Sequence, residues 1–215
     1  APGRPVVAIL GGSQGASGLN EAIRAALPAM ARHWPGLQFV HLAGPKDVTA
    51  LEAAYAAAGL PAVVLSFCDR VDEVLAAATV AIARSGASTL AEFAAMGVPS
   101  VLVPFPAAVD DHQRYNAEAF VRAGAARCVA QRDAQPRVLC DVLGDLLEAG
   151  PARTQMAAAA ARLHRPDSAD VIAERLLGLA AGPFSASAAA SRPISVVQES
   201  RRSMATAAVQ NASTP

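Results

Sequence analysis

The sequence predicts an α/β protein built on a doubly wound, six-stranded parallel sheet. Three observations predict it. Short β-rich runs alternate with longer helical stretches as far as Leu179. The first run, Val6–Leu10, is continuously apolar, which marks a strand buried on both faces of a parallel sheet. Two of the runs lead straight into turns of small residues, at 11–18 and 85–88, each followed by a helical pattern.

Residues 6–10 form the first strand, and a helix follows over about 19–33. Residues 37–42 read as the second strand and 48–58 as its helix. Residues 62–66 give a short third strand and 71–77 a short helix. The fourth strand spans 79–83, and the helix after it, 89–96, is stopped by Gly97. The fifth strand, 100–103, ends at Pro104 and Pro106. A helix over 111–123 and a sixth strand over 126–130 follow, and two or three helices close the domain between about 135 and 179. Six strands with helical crossovers make the sheet Rossmann-like. From Gly182 the composition shifts to Ser, Ala, Pro, Thr and Gln without helical or alternating period. Residues 1–181 are therefore expected to form one domain, and 182–215 a disordered, low-complexity tail.

A chain of 215 residues with 53% hydrophobic residues can bury a sizeable core, although Ala inflates that count. Lys plus Arg and Asp plus Glu are each 18, so the formal net charge is zero. Such a chain has no global attraction to nucleic acid or anionic lipid, and no nucleic-acid partner is expected. Cys68, Cys128 and Cys140 are odd in number and widely spaced, which reads as free thiols rather than a disulfide framework or zinc site. No apolar run is long enough to span a bilayer, and no signal peptide is expected. The sequence begins with Ala1 rather than Met, which suggests a processed product or a piece of something longer.

The first strand runs into Gly11-Gly12-Ser13-Gln14-Gly15-Ala16-Ser17-Gly18. Glycines permit positive φ and a close ligand approach, and the free N–H groups of a helix start attract phosphate. Ser13 and Gln14 add side-chain donors. The same residues also serve as a tight strand-to-helix turn with no ligand. The pattern is not G-x-G-x-x-G, and the end of the second strand holds Ala43-Gly44-Pro45 where a dinucleotide site wants an acid. The Gly-Lys-Ser/Thr ending of a P-loop is absent. Dehydrogenase and P-loop readings therefore fall.

The fourth strand ends in Arg84-Ser85-Gly86-Ala87-Ser88-Thr89-Leu90-Ala91-Glu92, a second small-residue turn. Glu92 has two readings. As a ligand it accepts both hydroxyls of a ribose; as structure, Thr89-x-x-Glu92 is a capping box, which the spacing alone favours. Two such turns on the first and fourth strands would meet where strand order reverses. After the fifth strand, Pro104-Phe105-Pro106 holds the chain extended, and Asp110, His112, Gln113 and Asn116 are polar groups able to hydrogen-bond sugar hydroxyls. His112 and Asn116, four apart, share a helical face. The plainer alternative is an N-capped helix with Asp110 or Asp111 as the cap. Asp110 and His112 could begin a metal site, but no further ligand cluster supports one.

In their order these segments resemble the MurG family, bacterial N-acetylglucosaminyltransferases that make lipid II in peptidoglycan synthesis. The carrying residues are Gly11-Gly12-Ser13-Gln14-Gly15, Arg84-Ser85-Gly86-Ala87, Thr89 with Glu92, Pro104-Phe105-Pro106, and Asp111-His112-Gln113 with Asn116. The resemblance covers roughly residues 5–175 and matches the C-terminal, donor-binding domain of a GT-B fold.

The resemblance implies UDP-N-acetylglucosamine as the ligand, held by Gly12, Ser13, Gln14, Gly15, Cys68, Ser88, Thr89, Glu92, His112, Gln113 and Asn116. Ser13 would lie near the diphosphate and the Cys68 backbone at the uracil edge. Ser88 and Thr89 would meet phosphate and Glu92 the ribose. His112, Gln113 and Asn116 would face the N-acetylglucosamine. It implies no cofactor and no metal. The general base and the lipid-linked acceptor, undecaprenyl-pyrophosphoryl-N-acetylmuramoyl pentapeptide, would belong to a missing or separate N-terminal domain. Peripheral association with the cytoplasmic face of the bacterial inner membrane would belong to the complete enzyme. The family's arginine ahead of the first strand is missing, and Arg4 is not expected to replace it. Alternatives are a subunit of a split glycosyltransferase, another GT-B enzyme, or a non-catalytic nucleotide-binding module.

Overall fold

The structure is a computed structural model that describes residues 3–180 apart from Ser13 and Ala149. The expectations for Ser13 and for the 182–215 tail lie outside the described residues. The chain divides into two compact units, Ala1–Pro166 and Asp167–Pro215.

In the first unit the strands are β1 (Val6–Leu10), β2 (Gln38–Leu42), β3 (Ala62–Leu65), β4 (Val80–Ala83), β5 (Ser100–Leu102) and β6 (Ala126–Cys128). Between and after them lie α1 (Ser17–His33), α2 (Val48–Ala58), α3 (Val71–Ala77), α4 (Ala87–Met96), α5 (His112–Arg122), α6 (Pro136–Leu147) and α7 (Gly150–Ala161). The second unit contributes α8 (Ser168–Ala180). All strand pairs are parallel, in the order β3-β2-β1-β4-β5-β6. The doubly wound six-stranded sheet expected from the sequence is present. Most elements lie where the sequence puts them, with strand ends one or two residues shorter and α1 and α4 each starting two residues earlier.

Successive strand residues point to opposite faces, and this divides the core in two. From β1, Val7 and Ile9 join Leu19, Ile23, Leu27 and Met30 of α1, with Leu139, Leu143 and Leu146 of α6. Those α1 residues recur every three or four positions, the period that puts them on one helix face. The intervening Ala8 and Leu10 face the other way, toward Val74 and Leu75 of α3, Leu90 and Phe93 of α4 and Ala117 of α5. On that face Ala8, Ala81 and Ala83 are all small, so α3 and α4 sit over a thin stretch of sheet beside the strand-order reversal.

Candidate functional site

Strand order reverses between β1 and β4, so the chain leaves these neighbours in opposite directions and opens a crevice at their carboxyl ends. The two small-residue turns therefore sit side by side, and Arg84 N–H donates to the Leu10 carbonyl at 3.3 Å between them. A cleft of about 500 Å³ occupies this place. Its floor is Leu10, Gly12 and Leu42; one wall is 66–69 with Val71, and the other is 86–89 with Glu92.

The first turn is tightly wound. Gly12 and Gly15 hold φ of 85° and 77°, and Gly15 N–H donates to the Gly12 carbonyl at 3.0 Å. Gly15 also lies directly against Gly44, whose Cβ, were it present, would fall 2.5 Å from the Gly15 Cα. α1 then begins without a side-chain cap, and so does α4, whose N-cap is Gly86. Uncapped starts leave their first N–H groups to water or to an anionic ligand.

The α4 start overturns the capping-box reading. Helix geometry begins at Ala87 rather than Thr89, so Thr89 is the third helical residue and Glu92 lies in the second turn, not the first. Thr89 cannot cap, and no side-chain cap bond forms. The Glu92 carboxylate is half-buried on the cleft wall, and burial pushes its pKa above the usual carboxylate value. No hydrogen bond or ion pair with another described residue engages it. A carboxylate desolvated without a partner is a group that gains from a ligand's hydroxyls.

Of the residues expected to bind, Gly12, Cys68, Ser88, Thr89 and Glu92 line the cleft. Gln14 is exposed on the first turn. His112, Gln113 and Asn116 gather at the start of α5, outside the cleft lining. Gln113 and Asn116 tie α5 to the second turn. Asn116 Nδ2 donates to the Ser85 carbonyl at 3.0 Å, and the Ser85 hydroxyl donates to the Gln113 carbonyl at 2.7 Å. Phe105 N–H donates to Gln113 Oε1 at 3.0 Å, and His112 Nδ1–H donates to the Val109 carbonyl at 2.8 Å. A single 3-10 turn, Val109–Asp111, enters α5 with Asp110 and Asp111 both left-handed, at φ 50° and 53°. Asp111 is the N-cap by position but makes no side-chain cap bond.

Sequence reasoning gave Arg84 no role of its own. The structure buries it to 7% exposure beneath the second turn. One guanidinium nitrogen donates to the carbonyls of Val103 and Pro104 at 3.0 and 3.1 Å, the other to Gln131 Oε1. The guanidinium also stacks 5.5 Å from the Phe105 ring centroid. No carboxylate among the described residues pairs with it, so its charge is met there only by neutral acceptors and the Phe105 ring. Only its place in the strand-to-turn motif could have flagged it. Arg4, by contrast, lies ahead of β1 and runs along Gly36, at the end of the strand away from the first turn.

Parallel strands wound both ways, with a walled crevice at the reversal, define a doubly wound α/β ligand-binding module. Comparison with known proteins narrows the class. Residues 6–172 match the model of the glycosyltransferase family 28 C-terminal domain, and the chain belongs to that family. It is 45% identical over 177 residues to the UDP-N-acetylglucosamine–N-acetylmuramyl-(pentapeptide) pyrophosphoryl-undecaprenol N-acetylglucosamine transferase of Sorangium cellulosum, spanning 81% of this chain and 44% of that one. The same-named protein of Anaeromyxobacter dehalogenans is 41% identical over 174 residues, at 81% and 45% coverage. The crystal structure of Acinetobacter baumannii MurG superposes with a TM-score of 0.74 at 34% identity, covering 83% of this chain and 51% of that chain. The chain thus spans about half the length of the curated relatives it matches.

Proposed function

We propose that this chain is the donor-binding half of an inverting transferase that moves N-acetylglucosamine from UDP-N-acetylglucosamine to lipid I. The observation that carries the reading is Glu92, a carboxylate without a partner among the described residues, on the wall of a cleft lined by the uncapped start of α4 and by Gly12 of the first turn. A nucleoside diphosphate fits that pattern: its ribose diol meets the carboxylate, and its phosphates meet the amides at 86–89 and the first turn. The relatives' names supply the identity of the sugar and the acceptor.

In this reading the base enters between Ser66 and Cys68, the wall beyond β3. His112, Gln113 and Asn116 approach the sugar from the α5 side. An acceptor hydroxyl attacks the anomeric carbon as the bond to the diphosphate breaks. Negative charge grows on UDP, and the α4 start and the buried Arg84 stabilise it by preorganised electrostatics. The hydroxyl proton passes to a base in the acceptor-binding half of the complete enzyme, where the lipid acceptor and the membrane face are also met. Among the described residues, no helix is long and apolar enough to cross a membrane.

Titration calorimetry with UDP-N-acetylglucosamine and with GDP-mannose tests the donor reading. Binding of the first and not the second is expected. Equal binding, or none, overturns it.

A further inference from the structure

Behind the first turn, where β2 meets α1 and α2, a chain of polar side chains is buried in otherwise apolar surroundings. His41 of β2 is fully buried, and Asn20 of α1 and Tyr55 of α2 nearly so. Asn20 Nδ2 lies 2.8 Å from the Ala43 carbonyl and 2.7 Å from Asp47 Oδ2. Both are acceptors, so both amide protons are committed and Asn20 Oδ1 must accept. The group facing that oxygen is His41 Nε2, at 3.0 Å. Nε2 therefore carries the imidazole proton, because a bare Nε2 would set two lone pairs against each other. Nδ1 is then the acceptor, and the Tyr55 hydroxyl donates to it at 3.1 Å. The Ser17 hydroxyl donates to the same Asp47 oxygen at 2.9 Å.

The segment this chain holds, Ala43 to Asp47, includes Gly44, which packs against the backbone of Gly15 in the first turn. Nothing softer than backbone lies between them. A shift of that segment is therefore a shift of the turn.

We propose that His41 is a positioning residue for the anion-binding turn. Its Nε2 proton fixes the Asn20 amide, and Asn20 pins Ala43 and Asp47 against Gly15. The turn then keeps its shape before any ligand arrives. That the ligand is a nucleoside diphosphate rests on the donor reading above; the positioning role does not.

Three measurements on the full chain test it. The first is the long-range 15N–1H pattern of the His41 ring, which reports the tautomer directly; an Nε2–H pattern is expected and an Nδ1–H pattern overturns the proposal. The second is the amide signals of Gly12, Gly15 and Gly44 in His41→Leu and His41→Gln without ligand. The Gln amide nitrogen reaches the Nε2 position and can donate, whereas Leu cannot. The turn signals should move in His41→Leu and stay near wild type in His41→Gln; unmoved signals in the folded Leu variant overturn it.

The third is UDP calorimetry below the melting temperature. A loss of about tenfold is expected for His41→Leu and no more than about threefold for His41→Gln. Equal affinity of wild type and His41→Leu refutes the proposal. If the wild type binds no UDP while the turn signals respond as expected, the donor reading fails and the positioning role stands. Should His41→Leu not fold, His41→Asn, whose amide reaches Nδ1 rather than Nε2, serves the same comparison with the same expectation.

Discussion

Gly15 and Gly44 meet backbone to backbone. Both are left-handed, at φ 77° and 78°, and a Cβ on Gly44 would lie 2.5 Å from the Gly15 Cα and 2.8 Å from its nitrogen. This contact joins the turn after β1 to the segment after β2, so the two loops hold one shape between them.

Gly44→Ala should therefore fail twice, through strained φ and through a clash with atoms that cannot rotate away. Urea unfolding should show a loss of about 2 kcal/mol or more. UDP affinity should fall with it. A variant as stable as wild type would show that the two loops move independently.

Glu92→Gln should separate binding from stability. The carboxylate has no partner among the described residues, so the melting temperature should hold. UDP affinity should drop about tenfold, the worth of a charge-assisted hydrogen bond. Wild type should also prefer UDP to its 2′-deoxy analogue, and the variant should not. An unchanged preference would remove Glu92 from the ribose.

His41 sets a pH dependence. Burial lowers its pKa from 6.5 to about 4, against a smaller opposing pull from Asp47. The folded state keeps the ring neutral where the unfolded chain protonates it. Between about pH 4 and 6.5 the unfolded state binds more protons, so stability rises with pH there and is lost as pH falls. The shift corresponds to about 3 kcal/mol across the window. Urea midpoints measured from pH 4 to 7 should slope upward in wild type and less so in His41→Gln. Parallel slopes would refute a buried neutral His41.

Arg84 bridges three acceptors on two segments with one planar fork, which a lysine cannot do. Arg84→Lys should lower stability by about 2 kcal/mol, because carbonyls of Val103 or Pro104 lose their donor in a buried place. UDP affinity should fall as well, since the charge is retained but moved. Full stability in Arg84→Lys would mean that water replaces the fork.

Much of the site was legible locally. The glycine turn at 11–15, the small-residue turn at 85–88 and the proline-stiffened segment at 104–106 are short-range patterns, and each lies at the carboxyl end of a strand. Glu92 was not settled locally. Its spacing from Thr89 fits a capping box, and only the actual helix start at Ala87 frees it for the cleft. Gln113 and Asn116 fit sugar contacts by residue type, yet part of their hydrogen-bonding capacity holds the second turn and the Phe105 segment in place. Arg84 and Gln131 lie 47 residues apart, and no local signal joins them.

The sequence alone determined the alternation of strand and helix, the two turns and the stop at Gly97, because φ preferences and hydrophobic period act over a few neighbours. Tertiary structure alone decided that β1 lies beside β4, which makes two turns into one crevice. It also brought Asn20, His41, Asp47 and Tyr55 together, and it assigned the imidazole proton. Those are contacts between distant segments, and their energies depend on which donor meets which acceptor once the chain has closed on itself.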